Sequence, residues 1–350
     1  MKACVLYGIG DLRYEDVENP RPYPGQVLVR VDACGVCGSD IPRVFQKGTY
    51  RFPTIPGHEF SGTVLQCGEG VDARWVGKQV VVFPLIPCRK CVSCQAARYA
   101  LCEDYGYLGS RSDGAFAEYV VAPEWNLTPV PPGVSQEAAA LTEPAAVAVH
   151  ALRRAGVDAG DAVMIFGTGP VGLMLGQWAR AMGASRVALA DIDSRRLAFA
   201  KEMGFEGVCN AAGTDCVSWA RDFFGRAPDV VVEASGSPAA YEQSLLSART
   251  LGRVVLMGNP AGEMKVSQEA YWAILRKELS VFGTWNSLYR SAPRDEWQLA
   301  LDFMASGKLE ATPLITHRVG LSELPGMLAS IRDKTEFSSK VLMVNPPRNA

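Results

Sequence analysis

Residues 161–285 alternate short apolar segments with segments of helical character, and this alternation limits the possible folds more than any other feature of the chain. The six strand candidates are AVMIF (162–166), RVALA (186–190), GVCN (207–210), DVVVEA (229–234), RVVLMG (253–258) and LSVFG (279–283). Helical segments such as RRLAFAKEMG and SPAAYEQSLLSART lie between them. Strands that alternate with helices are typical of the α/β class, so the sequence predicts a doubly wound parallel sheet of six strands.

A glycine motif, FGTGPVG, links the first of these strands to a helix. The first glycine of the motif allows a tight turn, the second admits a pyrophosphate, and the third lets helix and strand pack closely. The N-terminus of the helix offers free N–H groups to the phosphates. The pattern predicts a Rossmann domain, and the residues expected to bind its cofactor are Gly167, Gly169, Pro170, Val171, Gly172, Asp191 and Arg196.

Asp191 ends the next strand, 19 residues after Gly172, and it bears on the choice of cofactor. A carboxylate at this position accepts hydrogen bonds from the adenosine ribose and repels a 2′-phosphate, which favours NAD over NADP. Arg195 and Arg196 follow closely and weaken the case against NADP. A sheet with a glycine turn that binds no nucleotide is the alternative.

The rest of the chain predicts a second domain, since 350 residues are more than one hydrophobic core usually accommodates. Short strand-like runs stand among frequent glycines and prolines, which is typical of an irregular, barrel-like β domain. These runs are QVLVRVDA (26–33), GTVLQCG (62–68), KQVVVFP (78–84) and AFAEYVV (115–121). The predicted domains are residues 1–145 with 286–350, where a helix and a closing strand (KVLMV) return, and residues 146–285.

The net charge and the distribution of apolar residues indicate which partners and which cellular compartment to expect. A net charge of −2 gives no electrostatic reason to expect nucleic acid or an anionic membrane as a partner. The N-terminal segment lacks the long apolar core of a secretory signal, so we expect a cytoplasmic protein. The longest charge-free run, 162–179, contains four glycines and a proline, and it fits a buried strand and helix better than a membrane span.

Four of the ten cysteines form a compact array. Cys88, Cys91, Cys94 and Cys102 follow a C-x2-C-x2-C-x7-C spacing. Cytosolic thiols stay reduced, so such a cluster indicates a metal site before it indicates disulfides. Four thiolates suit a closed, structural tetrahedral zinc site, although iron–sulfur clusters use similar spacings.

A second metal site is predicted from one histidine and two distant residues. The chain has three histidines, and His150 and His317 are read as structural. Cys37, His58 and Glu143 together supply a thiolate, an imidazole and a carboxylate. Three such ligands with a free fourth position are typical of a catalytic zinc site.

The sequence is similar to the zinc alcohol dehydrogenases of the medium-chain dehydrogenase/reductase family, and the resemblance extends over essentially the whole chain. It rests on GHEFSGTVLQCGEGV, whose glycines stand in step with His58 and Glu59. The motif CGSD, the four-cysteine segment and GTGPVG follow in the expected order. Glu143 in a TEP context resembles the polyol and threonine dehydrogenase branch of this family.

The resemblance implies a GroES-like, β-rich catalytic domain, two zinc ions in each chain, and a homodimer or homotetramer. Cys37, His58 and Glu143 would hold the catalytic zinc. Glu59 would be a neighbouring or alternate ligand, reached directly or through water.

The resemblance also gives roles to the motif CGSD. Asp40 would orient His58 by accepting its other ring N–H. Ser39 would take the proton from the substrate hydroxyl. Alternatively, Ser39 and Asp40 only form a turn. Cys34, three residues before Cys37, is read as a small buried residue rather than a redox partner.

Finer matches concern the substrate. The segments CGSDIPRVFQKG, PLIPCRKC, YLGSRSDGAFAEYVV and ILRKELSVFGTW resemble the members of the branch that act on a phosphorylated polyol such as galactitol 1-phosphate. The implied reaction is hydride transfer from a secondary alcohol to NAD, giving a ketose. Arg43, Lys47 and Arg111 are candidates to bind the phosphate, since each lies next to a motif expected at the active site. A dehydrogenase of unphosphorylated polyols, an L-threonine dehydrogenase and a non-catalytic nucleotide-binding protein are the alternatives.

Overall fold

The computed structural model describes residues 1–291, 293 and 295–346. Its strands are β1 Lys2–Gly8, β2 Asp11–Asp16, β3 Gln26–Gly35, β4 Glu59–Cys67, β5 Gln79–Val82, β6 Leu85–Ile86, β7 Gly106–Tyr107, β8 Tyr119–Pro123, β9 Leu127–Pro129, β10 Ala162–Phe166, β11 Arg186–Asp191, β12 Gly207–Asn210, β13 Val230–Glu233, β14 Arg253–Leu256, β15 Ser280–Gly283, β16 Ile315–Val319 and β17 Lys340–Val344. Its α-helices are α1 Asp40–Pro42, α2 Val92–Gln95, α3 Gln136–Ala139, α4 Thr142–Ala155, α5 Pro170–Ala181, α6 Ser194–Glu202, α7 Cys216–Phe224, α8 Pro238–Ser247, α9 Gln268–Arg276, α10 Glu296–Ala305 and α11 Leu324–Asp333. None of these helices is long and apolar enough to cross a membrane.

The chain divides into two compact units. The first contains Met1–Glu143, Leu288–Gly307 and Ala311–Ala350, and the second contains Pro144–Ser287 and Lys308–Glu310. The domain limits predicted from the sequence, at 145/146 and 285/286, stay predictions.

The second unit is built on a six-stranded sheet with the order β12-β11-β10-β13-β14-β15, and every neighbouring pair is parallel. The central strand β10 is buried along its whole length, as expected for a strand covered by helices on both faces. The strand order reverses between β10 and β13, and the carboxyl ends of strands at such a point form a crevice for ligands. The predicted doubly wound sheet is confirmed.

The first unit is built on a mixed sheet with the order β16-β17-β3-β4-β5-β9, with β8 paired to β3. The ten-residue β3 is the centre of this sheet, and alternate residues from Val27 to Val31 are buried in the core. The C-terminal strand β17 pairs with the end of β3, where Leu342 lies opposite Gly35. This pairing brings β17 next to the segment that carries Cys37.

One predicted strand is displaced. The sequence predicts a strand over residues 115–121, whereas β8 spans Tyr119–Pro123. The amides of Gly114, Ala115 and Phe116 donate to the carbonyls of residues 55–57 instead. This segment therefore fixes the loop before His58 and leaves the sheet pairing to the residues that follow.

Candidate metal centres and nucleotide site

Cys37, His58 and Glu59 form a group whose potential ligand atoms all lie within 4.8 Å of one another. Cys37 follows β3, whereas His58 precedes β4 and Glu59 is its first residue. Because β3 and β4 are antiparallel neighbours with Gly35 opposite Glu59, the end of one strand meets the start of the other. His58 and Glu59 are almost fully buried. One sulfur, one nitrogen and one oxygen in such a pocket fit a zinc ion.

Glu143, the third ligand predicted from the sequence, does not belong to this group. It lies in the first turn of α4 and is buried. Burial and the carboxylate of Glu59 raise the pKa of Glu143 to about 7, while His58 and Lys340 oppose the shift. The structure therefore places Glu59 in the ligand group, and ligation by Glu143 stays a prediction.

Asp40 lies behind His58, on the side predicted from the sequence. Its Oδ1 atom is 3.5 Å from Nδ1 of His58, and the amide of Cys37 donates to its Oδ2 over 3.0 Å. Asp40 is fully buried, and burial alone would raise its pKa, but His58 and Arg43 lower the pKa to about 2. A carboxylate that stays ionised can hold the imidazole in one orientation, with the other ring nitrogen turned to a metal.

Arg43 forms an ion pair with Asp40, three residues before it, and only 16% of its side chain is exposed. The sequence suggests Arg43 as a phosphate anchor, but at least part of the hydrogen-bonding capacity of its guanidinium serves Asp40. Lys47 is exposed at the end of the short helical turn Arg43–Lys47. Arg111 lies between two tyrosine rings.

Ser39 lies beside the metal-ligand group. Its hydroxyl donates to Sγ of Cys37 over 3.2 Å, and its amide is 3.4 Å from the same sulfur. The hydroxyl therefore borders the metal-ligand group. Its role as proton acceptor stays a prediction.

Lys340 is the residue of this site that the sequence reasoning missed. It is the first residue of β17, it is 2% exposed, and its ammonium pairs with Glu59 and donates to the carbonyl of Val36 over 2.9 Å. Burial alone would lower the pKa of Lys340, but the negative charges of Glu59 and Cys37 outweigh this effect and raise the pKa above its ordinary value. A Cβ on Gly35 would overlap the Glu59 carboxylate and press on the lysine side chain, so a larger residue there would have to displace this ion pair.

The four predicted cysteines also come together within 4.8 Å. The sulfurs of Cys88 and Cys94 are 4.0 Å apart, as are those of Cys91 and Cys102. A tetrahedral site with Zn–S bonds of about 2.3 Å separates its sulfurs by about 3.8 Å. Backbone amides, those of Glu103 and Cys94 first, lower the pKa of Cys91 to about 6, which favours the thiolate that a metal needs. The cluster fits a closed zinc site.

We expect Cys94→Ser to lose one zinc per chain and to lower the melting temperature by about 5–10 °C, equivalent to about 2–4 kcal/mol. Cys94 is buried among the other three sulfurs, so its loss opens the cluster. Metal analysis and thermal unfolding measure the two effects. Cys67→Ser is the matched control, because this partly exposed cysteine lies outside both ligand groups. Unchanged zinc content in Cys94→Ser would contradict the prediction.

The glycine motif forms the turn between β10 and α5. Gly167 has a φ of +105°, which favours glycine, and a Cβ on Gly172 would overlap the carbonyl oxygen of Gly167. Gly169 precedes α5 and Pro170 is its first residue, as is common at helix N-termini. The free amides of this helix end are suited to a pyrophosphate.

Asp191 lies at the end of β11, next to the glycine turn. The amide of Thr168 donates to its Oδ2 over 2.8 Å, and the amide of Asp193 donates to its Oδ1 over 3.0 Å. Arg196 is 3.5 Å from the same carboxylate, whereas Arg195 pairs with Asp193. The two amides therefore fix the carboxylate in place, and Arg196 lies close enough to neutralise part of its negative charge.

The remaining histidines and Cys34 lie outside the ligand groups. His150 is buried within α4, and His317 on β16 is 3.6 Å from Glu336. Cys34 is fully buried at the end of β3, and burial raises its pKa well above the ordinary value. A protonated, buried thiol behaves as a small apolar side chain.

The chain matches two protein families over most of its length. Residues 23–132 match the alcohol dehydrogenase GroES-like domain, and residues 170–306 match the zinc-binding dehydrogenase family. The chain is 34% identical to galactitol 1-phosphate 5-dehydrogenase of Escherichia coli K12, over 98% of this chain and all of that one. It is 35% identical to a sorbitol dehydrogenase of Halalkalibacterium halodurans (92% and 94% covered) and 36% identical to an L-threonine 3-dehydrogenase of Pyrococcus abyssi (91% and 90% covered).

Solved structures give the same picture. The crystal structure of galactitol-1-phosphate dehydrogenase from Escherichia coli has a TM-score of 0.90 at 33% identity and covers 99% of this chain and 100% of its own. An alcohol dehydrogenase from E. coli CFT073 complexed with NADH has a TM-score of 0.90 at 28% identity, with 99% of each chain covered. A zinc-binding dehydrogenase from Sinorhizobium meliloti bound to NADP has a TM-score of 0.89 at 31% identity, with 98% and 99% covered. These matches confirm the predicted pair of GroES-like and Rossmann domains.

Proposed function

The chain belongs to the zinc-dependent alcohol dehydrogenases of the medium-chain family, in the polyol dehydrogenase branch, and we propose that it oxidises a secondary hydroxyl of a phosphorylated sugar alcohol such as galactitol 1-phosphate, with NAD as acceptor, to give the ketose. The observation that carries this proposal is the compact group of Cys37, His58 and Glu59. Its thiol, imidazole and carboxylate supply the mixed ligands that a catalytic zinc requires. The full-length similarity to galactitol 1-phosphate 5-dehydrogenase supports the substrate class.

We propose that each chain holds two zinc ions. Cys37 and His58, with Glu59 or Glu143 as carboxylate ligand, would hold the catalytic zinc, and the four cysteines of residues 88–102 would hold the structural zinc. When bound, the catalytic zinc would act as a Lewis acid that lowers the pKa of the substrate hydroxyl.

The side chains around this position have separate tasks in the reaction. Asp40 keeps His58 oriented through its ionised carboxylate. Ser39, whose hydroxyl is 3.2 Å from Sγ of Cys37, would take the proton that leaves the substrate hydroxyl. Lys340 forms a buried ion pair with Glu59 and so helps to fix this carboxylate within the ligand group.

The nucleotide would bind at the glycine turn of residues 167–172, with its pyrophosphate at the N-terminus of α5. Bound NAD would accept the hydride. The fixed carboxylate of Asp191 favours NAD, because it can accept the ribose hydroxyls and repels a 2′-phosphate.

Asp191→Asn should reduce the preference for NAD. We expect kcat/KM with NAD⁺ to fall by about 10-fold and kcat/KM with NADP⁺ to rise, because the substitution removes one negative charge and frees Arg196 for a 2′-phosphate. Steady-state kinetics with both coenzymes measure the change. Glu202→Gln, an exposed residue at the end of α6, is the control for loss of one charge. An unchanged ratio of the two kcat/KM values would contradict the assignment of Asp191.

The substrate proposal is tested by a panel of galactitol 1-phosphate, galactitol, sorbitol, xylitol and L-threonine, with NAD⁺ and NADP⁺. The proposal expects the highest kcat/KM for the phosphorylated polyol. Equal or better turnover of free polyols would favour a sorbitol- or xylitol-type enzyme, and preference for L-threonine would favour a threonine dehydrogenase. Absence of turnover by a zinc-loaded protein would favour the non-catalytic alternative.

We also propose that the chain forms a homodimer or homotetramer. Strand β15 pairs only with β14 among the described residues, so it is an edge strand of the parallel sheet. Val281 on this strand is 37% exposed, and Trp285 just beyond it is 60% exposed. An edge strand with exposed apolar residues is suited to pairing with a second copy of the chain.

A further inference from the structure

Arg111 is held between two aromatic rings. Its Cζ atom lies 4.1 Å from the centre of the Tyr50 ring and 4.4 Å from the centre of the Tyr105 ring. Aromatic rings attract a guanidinium through their negative faces. The N–H groups of a guanidinium lie in its plane, so they are the part of this side chain that can bind an anion.

The hydrogen-bonding capacity of Arg111 is not used within the described part of the chain. Its buried Nε has no hydrogen-bond partner, and no described carboxylate forms an ion pair with it. The neighbouring arginines differ, because Arg43 pairs with Asp40 and Arg51 pairs with Asp113. A buried N–H without an acceptor is costly, so a ligand that supplies the acceptor would be favoured.

The position of Arg111 is fixed by the backbone around it. The carbonyl of Tyr107 accepts the amides of Arg111 and Ser112 over 2.9 and 3.1 Å, which closes a tight turn after β7. The amide of Tyr50 donates to the carbonyl of Ser110 over 3.3 Å and joins the two loops. A cation fixed in this way needs less ordering when it binds a ligand, which increases affinity.

A ladder of aromatic contacts connects this cation to the metal-ligand group. The ring of Tyr105 lies 6.4 Å from that of Tyr107, and the ring of Tyr107 lies 5.8 Å from that of His58. Two tyrosine side chains therefore link Arg111 to the metal-ligand group. A phosphate on a polyol is likewise separated by several bonds from the secondary carbon that is oxidised.

We propose that Arg111 is the specificity-determining residue that binds the phosphate monoester of the substrate. The inference rests on the proposed function, and it selects one of the three cations that the sequence suggested. The planar fork of an arginine matches two phosphate oxygens at once. Arg43 is already engaged by Asp40, and Lys47 is an exposed point charge without a comparable fixed position.

Kinetics of Arg111→Met with galactitol 1-phosphate and galactitol test the proposal. We expect kcat/KM for the phosphorylated substrate to fall by about 10- to 100-fold, chiefly through KM, since hydrogen bonds to charged groups are worth about 1.5–3 kcal/mol. Turnover of galactitol should change less than about twofold. Arg111→Lys keeps the charge but loses the planar fork. Its kcat/KM for galactitol 1-phosphate should lie between those of the parent protein and Arg111→Met. Arg51→Met, an exposed arginine near the same loop, should behave as the parent protein.

Two results would overturn the inference: an unchanged kcat/KM for galactitol 1-phosphate, or equal losses for the two polyols. If L-threonine is also assayed and only its kcat/KM falls in Arg111→Met, the inference is overturned as well, because the anion that Arg111 binds would then be a carboxylate. If Arg111→Met has a lowered melting temperature, the inference is tested with Arg111→Lys instead, by comparing its kcat/KM for galactitol 1-phosphate and for galactitol.

A binding measurement separates failure of this inference from failure of the proposed function. Should the parent protein oxidise no polyol, the function proposal fails, but calorimetric titration with glycerol 1-phosphate still tests Arg111. Binding to the parent protein that weakens at least about 10-fold in Arg111→Met supports the phosphate site. Equal binding to the two proteins, or no binding to either, overturns it.

Discussion

Cys37→Ser is expected to lower kcat by at least about 10³-fold and to remove one zinc ion per chain, because Lewis-acid activation of the hydroxyl is worth several kcal/mol. Cys37 contributes the only sulfur to the group with His58 and Glu59. A serine hydroxyl is a much weaker zinc ligand than a thiolate. Metal analysis of the purified protein and kcat with the best substrate of the panel measure the two effects.

Cys34→Ser is the matched control, since it changes the other cysteine of the same C-x-x-C segment. Cys34 is fully buried and belongs to neither ligand group, so we expect both zinc ions and most of the activity to remain. If the two serine variants lost activity equally while retaining both metals, Cys37 would not be a ligand, and a redox role for the pair would have to be considered again.

The fold could be predicted from the sequence wherever a local pattern has one physical solution. Six apolar segments alternating with helices can bury both faces only as a parallel sheet, and the observed β10 and β12 have the predicted bounds. The glycine motif was equally informative, because the positive φ of Gly167 and the close approach at Gly172 exclude other residues. The predicted strand at 115–121 is displaced to Tyr119–Pro123, because residues 114–116 bond to the loop of residues 55–57.

The site was predictable only in part, because several of its contacts are made across the sequence. Glu59 stands next to His58 in the sequence, yet its buried partner Lys340 lies 281 residues away and reaches it through pairing of β17 with β3. No local pattern in KVLMV marks its lysine as part of a site. The pairing of Arg43 with Asp40 was accessible in principle, since charges three residues apart meet on one helical turn.

Arg111 was identified from the sequence, but its surroundings were not. The sequence identified a cation near the expected active site but could not separate it from a solvated charge. The two tyrosines that enclose it are distant in the chain or lie beyond a turn, so only the folded structure shows them together. Its contacts with the two rings, as well as its guanidinium fork, distinguish it from Lys47.

Lys340→Met should lower the free energy of unfolding by about 3–5 kcal/mol, because it removes the ammonium that pairs with the buried carboxylate of Glu59. Both side chains are almost fully buried, so water cannot solvate the carboxylate that remains. Gly35 packs directly against the pair, and the neighbouring backbone therefore has little freedom to relax. Urea unfolding, followed by circular dichroism, measures the change.

The surface pair Lys265–Glu263 supplies the contrast for this prediction. Both of its side chains are 77% exposed, so Lys265→Met should change the stability by at most about 1 kcal/mol. The double variant Lys340→Met/Glu59→Gln should recover part of the loss, since it removes the orphaned charge along with its partner. If Lys340→Met and Lys265→Met destabilised the protein equally, or if the double variant recovered nothing, Lys340 would not act by neutralising Glu59.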